Sequence, residues 1–265
     1  MSKYWAVVKH CFKIQIVYRY EVIMNLVEII GRILFAWLLW NAVFAGREKV
    51  GGFTLMTMLF YYVLSSFLSS IDISSGVSGE ISSRIRDGTF SRFMVIPTNT
   101  QGHFIAQNIG TSAFYALFAS IVVGLCALIF KVSPLFTANF AKIICALGII
   151  PLGLIFMVCF HFFIGILAFK FQDIGFFLRV QGAILEFVTG GVVPLILLPN
   201  NIMRVMRFIP FIHVVNTPVM LLMGRISLGE GFFGFITLVV WTTIMVIISQ
   251  IMFKRLRIKY DGVGI

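Results

Sequence analysis

Ionisable residues embedded in apolar sequence are where this chain could do chemistry, and three groups of them stand out. Glu28 and Arg32 lie four apart and can pair on one helix face, or else sit at the headgroup level where they cost little. Glu186 lies in a second apolar run with no cation nearer in sequence than Arg179. A charge at the centre of a bilayer costs about 2.5–3.5 kcal/mol on insertion scales, so Glu186 must face another helix or a cavity. Two readings of Glu186 stay open: the polar lining of a pathway, and a structural pair between helices. The third group is Glu80, Ile81, Arg84, Ile85, Arg86, Asp87 and Gly88. Glu80 and Arg84 are spaced to pair, Ile81 and Ile85 make an apolar stripe, and Gly88 can end a helix. Phe90, Phe93 and Met94 then return the chain toward apolar surroundings, and Pro97 stops any continuation. The segment is either a solvated basic loop or a two-sided helix whose charged face, expected to carry Arg84, Arg86 and Asp87, is left for a cytosolic surface.

Other chemistry is missing. The sequence has no Gly-x-x-x-x-Gly-Lys-[Ser/Thr] phosphate loop, no His-Glu-x-x-His and no Gly-x-Ser-x-Gly. His103 and His161 stand alone, as hydrogen-bonded structural histidines do, and Cys11, Cys126, Cys145 and Cys159 form no Cys-x-x-Cys pair. No catalytic residue, metal site or cofactor site is expected in the chain. Its ten acidic residues are too few and too scattered for a proton relay.

The elements that would position these groups follow from composition. With 60% hydrophobic and 12% charged residues and a mean hydropathy of +1.02, the chain reads as an all-α polytopic membrane protein. A span needs about 20 apolar residues, and six stretches qualify: 22–44, 53–72, 103–130, 140–169, 174–198 and 232–253. Six crossings put both termini on one side. With that side inside, 13 Lys and Arg residues fall inside and 7 outside, so both termini are expected in the cytoplasm. This distribution, beside apolar runs, explains the net charge of +11 without nucleic acid. The start lacks a small-residue cleavage site, so the first span is expected to be an uncleaved anchor.

Residues 1–20 read as an amphipathic helix lying on the membrane, with Lys3, Lys9, His10 and Lys13 on one flank and Trp5, Val8, Phe12 and Ile16 on another. Residues 190–224 carry Gly190, Gly191, Pro194, Pro199, Pro210 and Pro218 within apolar sequence, more breaks than a straight helix tolerates. They are read as short re-entrant pieces on the outer side. In 201–209, Arg204 and Arg207 are expected on one face and Ile202, Val205, Met206 and Ile209 on the other. The whole chain, 1–265, is expected to be one membrane domain.

In order and spacing these segments resemble the membrane subunits of type-2 ABC exporters, in particular the six-span permeases of bacteria. The resemblance rests on Tyr18-Arg19-Tyr20-Glu21, on Leu39 to Phe44, on Ile81 to Phe90 with Pro97, and on Gly190 to Pro199 followed by Ile209-Pro210-Phe211 and Pro218. It implies a bacterial plasma-membrane protein that works as a homodimer or heterodimer of permease chains on a separate cytosolic ABC ATPase. That partner would hydrolyse the ATP. It further implies that residues 78–97 hold the coupling helix that docks on the ATPase. Residues of the fifth span and the re-entrant pieces would line or cap the path. The rival expectation is a gradient-driven transporter or channel; it calls for inverted repeats, which the two halves of the chain do not show.

Overall fold

The computed structural model describes residues 2–95, 99–132, 135–171, 174–191 and 193–259. Among these residues the protein is all helical: α1 (Ser2–Ile14), α2 (Arg19–Phe44), α3 (Leu55–Ile71), α4 (Ser75–Arg86), α5 (Ser91–Val95), α6 (Thr100–Ile129), α7 (Phe140–Ile166), α8 (Gly175–Val188), α9 (Asn200–Met206), α10 (Asn216–Leu222) and α11 (Leu228–Leu256). α3, α6, α7 and α11 start where a side chain can take an orphan first-turn N–H, whereas α2 has no side-chain cap. Thr54 and Ser227 form capping boxes with Thr57 and Glu230, while Asn99 and Asn139 cap α6 and α7. α4 resumes three residues after α3 ends, so that Leu55–Arg86 forms one long helical unit.

The crossings follow from which residues meet. Asn25 reaches Ser70 while Trp40 packs on Tyr62, so α2 and α3 are antiparallel. α7 and α11 instead run in the same direction, since Gly148 lies by Phe235, Cys159 by Ser249 and Phe162 by Phe253. Two parallel spanning neighbours require the chain between them to cross back once. Among the described residues five helical units are long and apolar enough to cross, namely α2, α3 with α4, α6, α7 and α11, and the return crossing is made in pieces. The face of the protein that holds the start of α2 is the near face, and its opposite is the far face.

That return corrects the expectation of a helical span over 174–198. α8 has 14 residues, about 21 Å of rise, too short for a hydrocarbon layer of about 30 Å. It ends beside Asn216, whose N–H donates to the Thr189 carbonyl. The chain then climbs until Leu197 lies against Gly51, in the far-face loop between α2 and α3. After α9 it dips again, placing Val214 against Gly153 midway along α7, and α10 rises until the Leu222 carbonyl accepts the Thr137 N–H. Asn200–Met206 and Pro210–Leu222 are bent by 88° to each other, the geometry of a re-entrant loop from the far face.

The buried face of this loop also differs from expectation. Met206, with Met203 partly buried, packs on Leu195 and Ile212, while Ile202 and Val205 point outward. The seven-residue helix turns its methionines to the protein because Pro199 and Pro210 fix its entry and exit. α1 is likewise held by protein. Its Tyr4 meets Gly102, its Val8 carbonyl and Cys11 approach Gly110 closely, and Phe12 stacks edge-on to Phe114. Val8 and Phe12 therefore face α6, whereas Trp5 and Ile16, expected on the same flank, are exposed. Burial there, with the Glu80 carboxylate adding, pushes the Cys11 thiol above its ordinary range.

Candidate functional site

α2, α3 and α8 bring the expected intramembrane charges together. The Arg32 guanidinium bridges two carboxylates, with Nη2 2.6 Å from Glu28 Oε1 and Nη1 2.8 Å from Glu186 Oε1. Glu186 therefore has a cation, supplied by another helix 154 positions earlier rather than by Arg179. Ser66, Ser69 and Ser70 lie one helical turn apart or adjacent on α3, and Asp72 follows at its end, where Oδ1 accepts the Ser74 N–H at 3.1 Å. Arg32, Ser69, Asp72, Ser75, His161 and Glu186 line a cavity of about 300 Å³. Two carboxylates, Glu28 and Glu186, thus meet one guanidinium, and Asp72 lines the same cavity. Sequence reading missed the serine stripe, whose signal was its i, i+3, i+4 spacing in an otherwise apolar helix. His161 behaves as the structural histidine expected, sharing a hydrogen bond with Ser78 Oγ at 3.2 Å.

The second group sits at the near face. Ile81 is fully buried, and it and Ser78 lie so close to Gly165 of α7 that an added Cβ would be 2.9 Å from Ile81 Cβ. Ile85 is half-buried beside them. Glu80 Oε1 pairs with Arg84 at 2.9 Å, and its other oxygen accepts from Gln107 of α6 at 3.2 Å. Gly88, at φ +72, ends α4, and the Phe90 N–H bonds back to the Arg84 carbonyl. One expectation changes here: Arg84 does not belong to the free charged face. It turns inward over the Phe93 ring, 5.1 Å from its centroid, because Glu80 and the ring both favour the cation there. The outward charges are Arg86, Asp87 and Arg92. Pro97, expected to stop this segment, lies outside the described residues.

The re-entrant loop is pinned to the spans at its bends. Gly190, at φ +85, occupies a site where a Cβ would fall 2.9 Å from both Tyr61 Oη and Asn216 Cβ. The Tyr61 hydroxyl donates to the Gly190 carbonyl at 2.7 Å, and Asn216 Oδ1 accepts the Leu195 N–H at 3.3 Å. The Gly191 N–H closes on the Glu186 carbonyl, and Pro194 and Pro210 are buried. Pro199 immediately precedes α9. His213 bonds Thr217 and the Arg207 carbonyl, Arg207 pairs with Glu230 at 2.9 Å, and Trp241 Nε1 donates to the Phe208 carbonyl. These partners, on α3, α10 and α11, were not legible from local sequence. No group of histidine, cysteine or carboxylate side chains able to hold a metal exists among the described residues.

A broken return crossing, a re-entrant far-face loop and a near-face helix packed on the spans define a polytopic membrane domain. The family model described as ABC-2 family transporter protein matches residues 30–264, and the chain belongs to that family. It is a multi-pass integral membrane protein and the membrane subunit of an ABC-2 family transporter, with no ATPase domain detected in it. A search of curated proteins found no match.

Proposed function

We propose that this chain is the permease half of an ATP-driven exporter, acting as a dimer of permease chains on a separate cytosolic ATPase, with its near face in the cytoplasm. The observation that carries the reading is α4: a helix continuous with a spanning unit, seated through Ile81 on Gly165 of α7, with Arg86 and Asp87 left outward at its tip and Arg92 outward on α5. A push on that tip reaches two spans at once. ATP-driven closure of the motor would shift the permease between inward-facing and outward-facing states by its differential affinity for two positions of α4. The orientation is supported by the excess of cations on near-face segments. The Arg32 cleft and the re-entrant loop, on α2, α3, α8 and α10, supply polar groups for a path at the permease centre.

The test is co-purification of the ATPase with the double variant Arg86→Glu, Arg92→Glu after correct insertion has been verified. Reversed charges in a docked interface cost a few kcal/mol, so the expected result is loss of the ATPase from an otherwise folded permease. Wild-type co-purification and wild-type transport-linked ATP hydrolysis would remove the docking role from α4 and α5.

A further inference from the structure

At the near face, away from the Arg32 cleft, the start of α6 and the ends of α7 and α11 enclose a second polar pocket of about 210 Å³. Thr100, Gln101, Phe162, Gln250, Lys254 and Arg257 line it, and none of its lining residues is acidic. Gln101 is 3% exposed, yet neither its Oε1 nor its Nε2 has an oxygen or nitrogen hydrogen-bond partner. The Cys159 thiol beside it is only a weak one. An unsatisfied buried amide is costly, and this one lines a pocket whose mouth carries two cations. Lys254 and Arg257 form no ion pair among the described residues; Arg257 only overlies the Phe253 ring. The pocket also receives the N-terminus of α6, the positive end of a 30-residue helix whose Asn99 cap takes the Gly102 N–H. Helix terminus and cations both favour an anion, and the buried amide offers it a donor through Nε2.

We propose that this pocket binds a phosphate group, with Lys254 and Arg257 balancing its charge, the first turn of α6 donating backbone N–H bonds and Gln101 Nε2 donating from the inner wall. Basic pockets between spanning helices recognise anionic headgroups in this way. The phosphate is either that of an anionic lipid in the near-face leaflet or a free phosphate, and the two sources share the same contacts. Phosphate binding here is independent of the exporter reading, since this chain alone forms the pocket.

The experiment is a thermal-shift titration of the full-length protein in detergent, with phosphatidylglycerol, phosphatidylcholine and inorganic phosphate in separate arms. Saturable stabilisation by phosphatidylglycerol, unaffected by added inorganic phosphate and much weaker with phosphatidylcholine, is expected for a lipid headgroup. Saturable stabilisation by inorganic phosphate, which also competes with the lipid, identifies the free ion as a ligand. In either case the double variant Lys254→Gln, Arg257→Gln should weaken binding about thirtyfold, as loss of two cations beside an anion implies. Gln101→Leu, which leaves the surface charge intact, should weaken it several-fold. A control pair, Arg19→Gln with Arg255→Gln, removes equal charge from outside the pocket and should bind as wild type. The proposal is overturned by absence of stabilisation in all arms, by wild-type binding in the Lys254, Arg257 and Gln101 variants, or by an equal loss in the control pair.

Discussion

At the scale of single residues, Arg32 is the side chain on which most depends, because one guanidinium serves carboxylates of two helices. Arg32→Leu would leave Glu28 and Glu186 facing each other without a cation. Breaking a fully buried pair costs about 3–5 kcal/mol, but the side chains of Arg32, Glu186 and Glu28 are 31%, 42% and 58% exposed, so solvent screening brings the expected loss nearer ~1–2 kcal/mol. Thermal melting of purified protein measures it. The triple change Glu28→Gln, Arg32→Gln, Glu186→Gln removes all three charges and should recover most of the loss; a triple variant as unstable as Arg32→Leu would show that shape, not charge, holds α2 to α8. Gly190 offers a second test. A side chain there meets both a left-handed backbone and the Tyr61 hydroxyl, so Gly190→Ala should destabilise by about 1–3 kcal/mol. Tyr61→Phe removes only the hydroxyl that the Gly190 carbonyl and Asn216 Oδ1 share and should cost about 1 kcal/mol. If both variants melt like wild type, the re-entrant loop is not anchored at this bend.

Among the elements, α4 has the most direct mechanical consequence. Its contact with α7 is a backbone approach at Gly165, which lets Ser78 and Ile81 seat against the span without an intervening side chain. Gly165→Leu would force α4 outward, since overpacking of such a contact costs about 1–3 kcal/mol and is relieved by moving the less constrained element. The expected result, if α4 transmits motion, is ATP hydrolysis that persists while transport per ATP falls. Transport and hydrolysis falling in equal proportion would mark the effect as loss of folded protein instead. α4 also meets α6 through the Gln107 bond to Glu80, so Gln107→Leu should weaken the Glu80–Arg84 arrangement only slightly, by about 0.5–1.5 kcal/mol.

For the whole molecule, the parallel pairing of α7 and α11 puts the ends of these two helices on the same face, with one return crossing between them. Single cysteines at Glu48 and Asn200, in a background lacking the four native ones, should react with an impermeant thiol reagent in intact cells, and one at Asp87 should not. Gly51 is a poor probe for that loop, because its φ of +57 and the Leu197 side chain both exclude a substituent. Labelling at Asp87 with protection at Glu48 would invert the orientation. Hydropathy and the count of basic residues determined the membrane class, the long spans and the near-face charge excess, because partition into a bilayer depends on composition summed along a stretch. Local spacing likewise determined that Glu80 pairs with Arg84, that Gly88 ends α4 and that 190–224 cannot be one helix, since these depend on residues within a turn or two. Only the tertiary structure decided that Glu186 finds Arg32, that Arg84 turns onto Phe93, that α8 stops at half a crossing and that Val8 and Phe12 of α1 leave the lipid for α6. In each of those cases the partner lies on a different helix, and the choice rests on packing and pairing energies that no single segment carries.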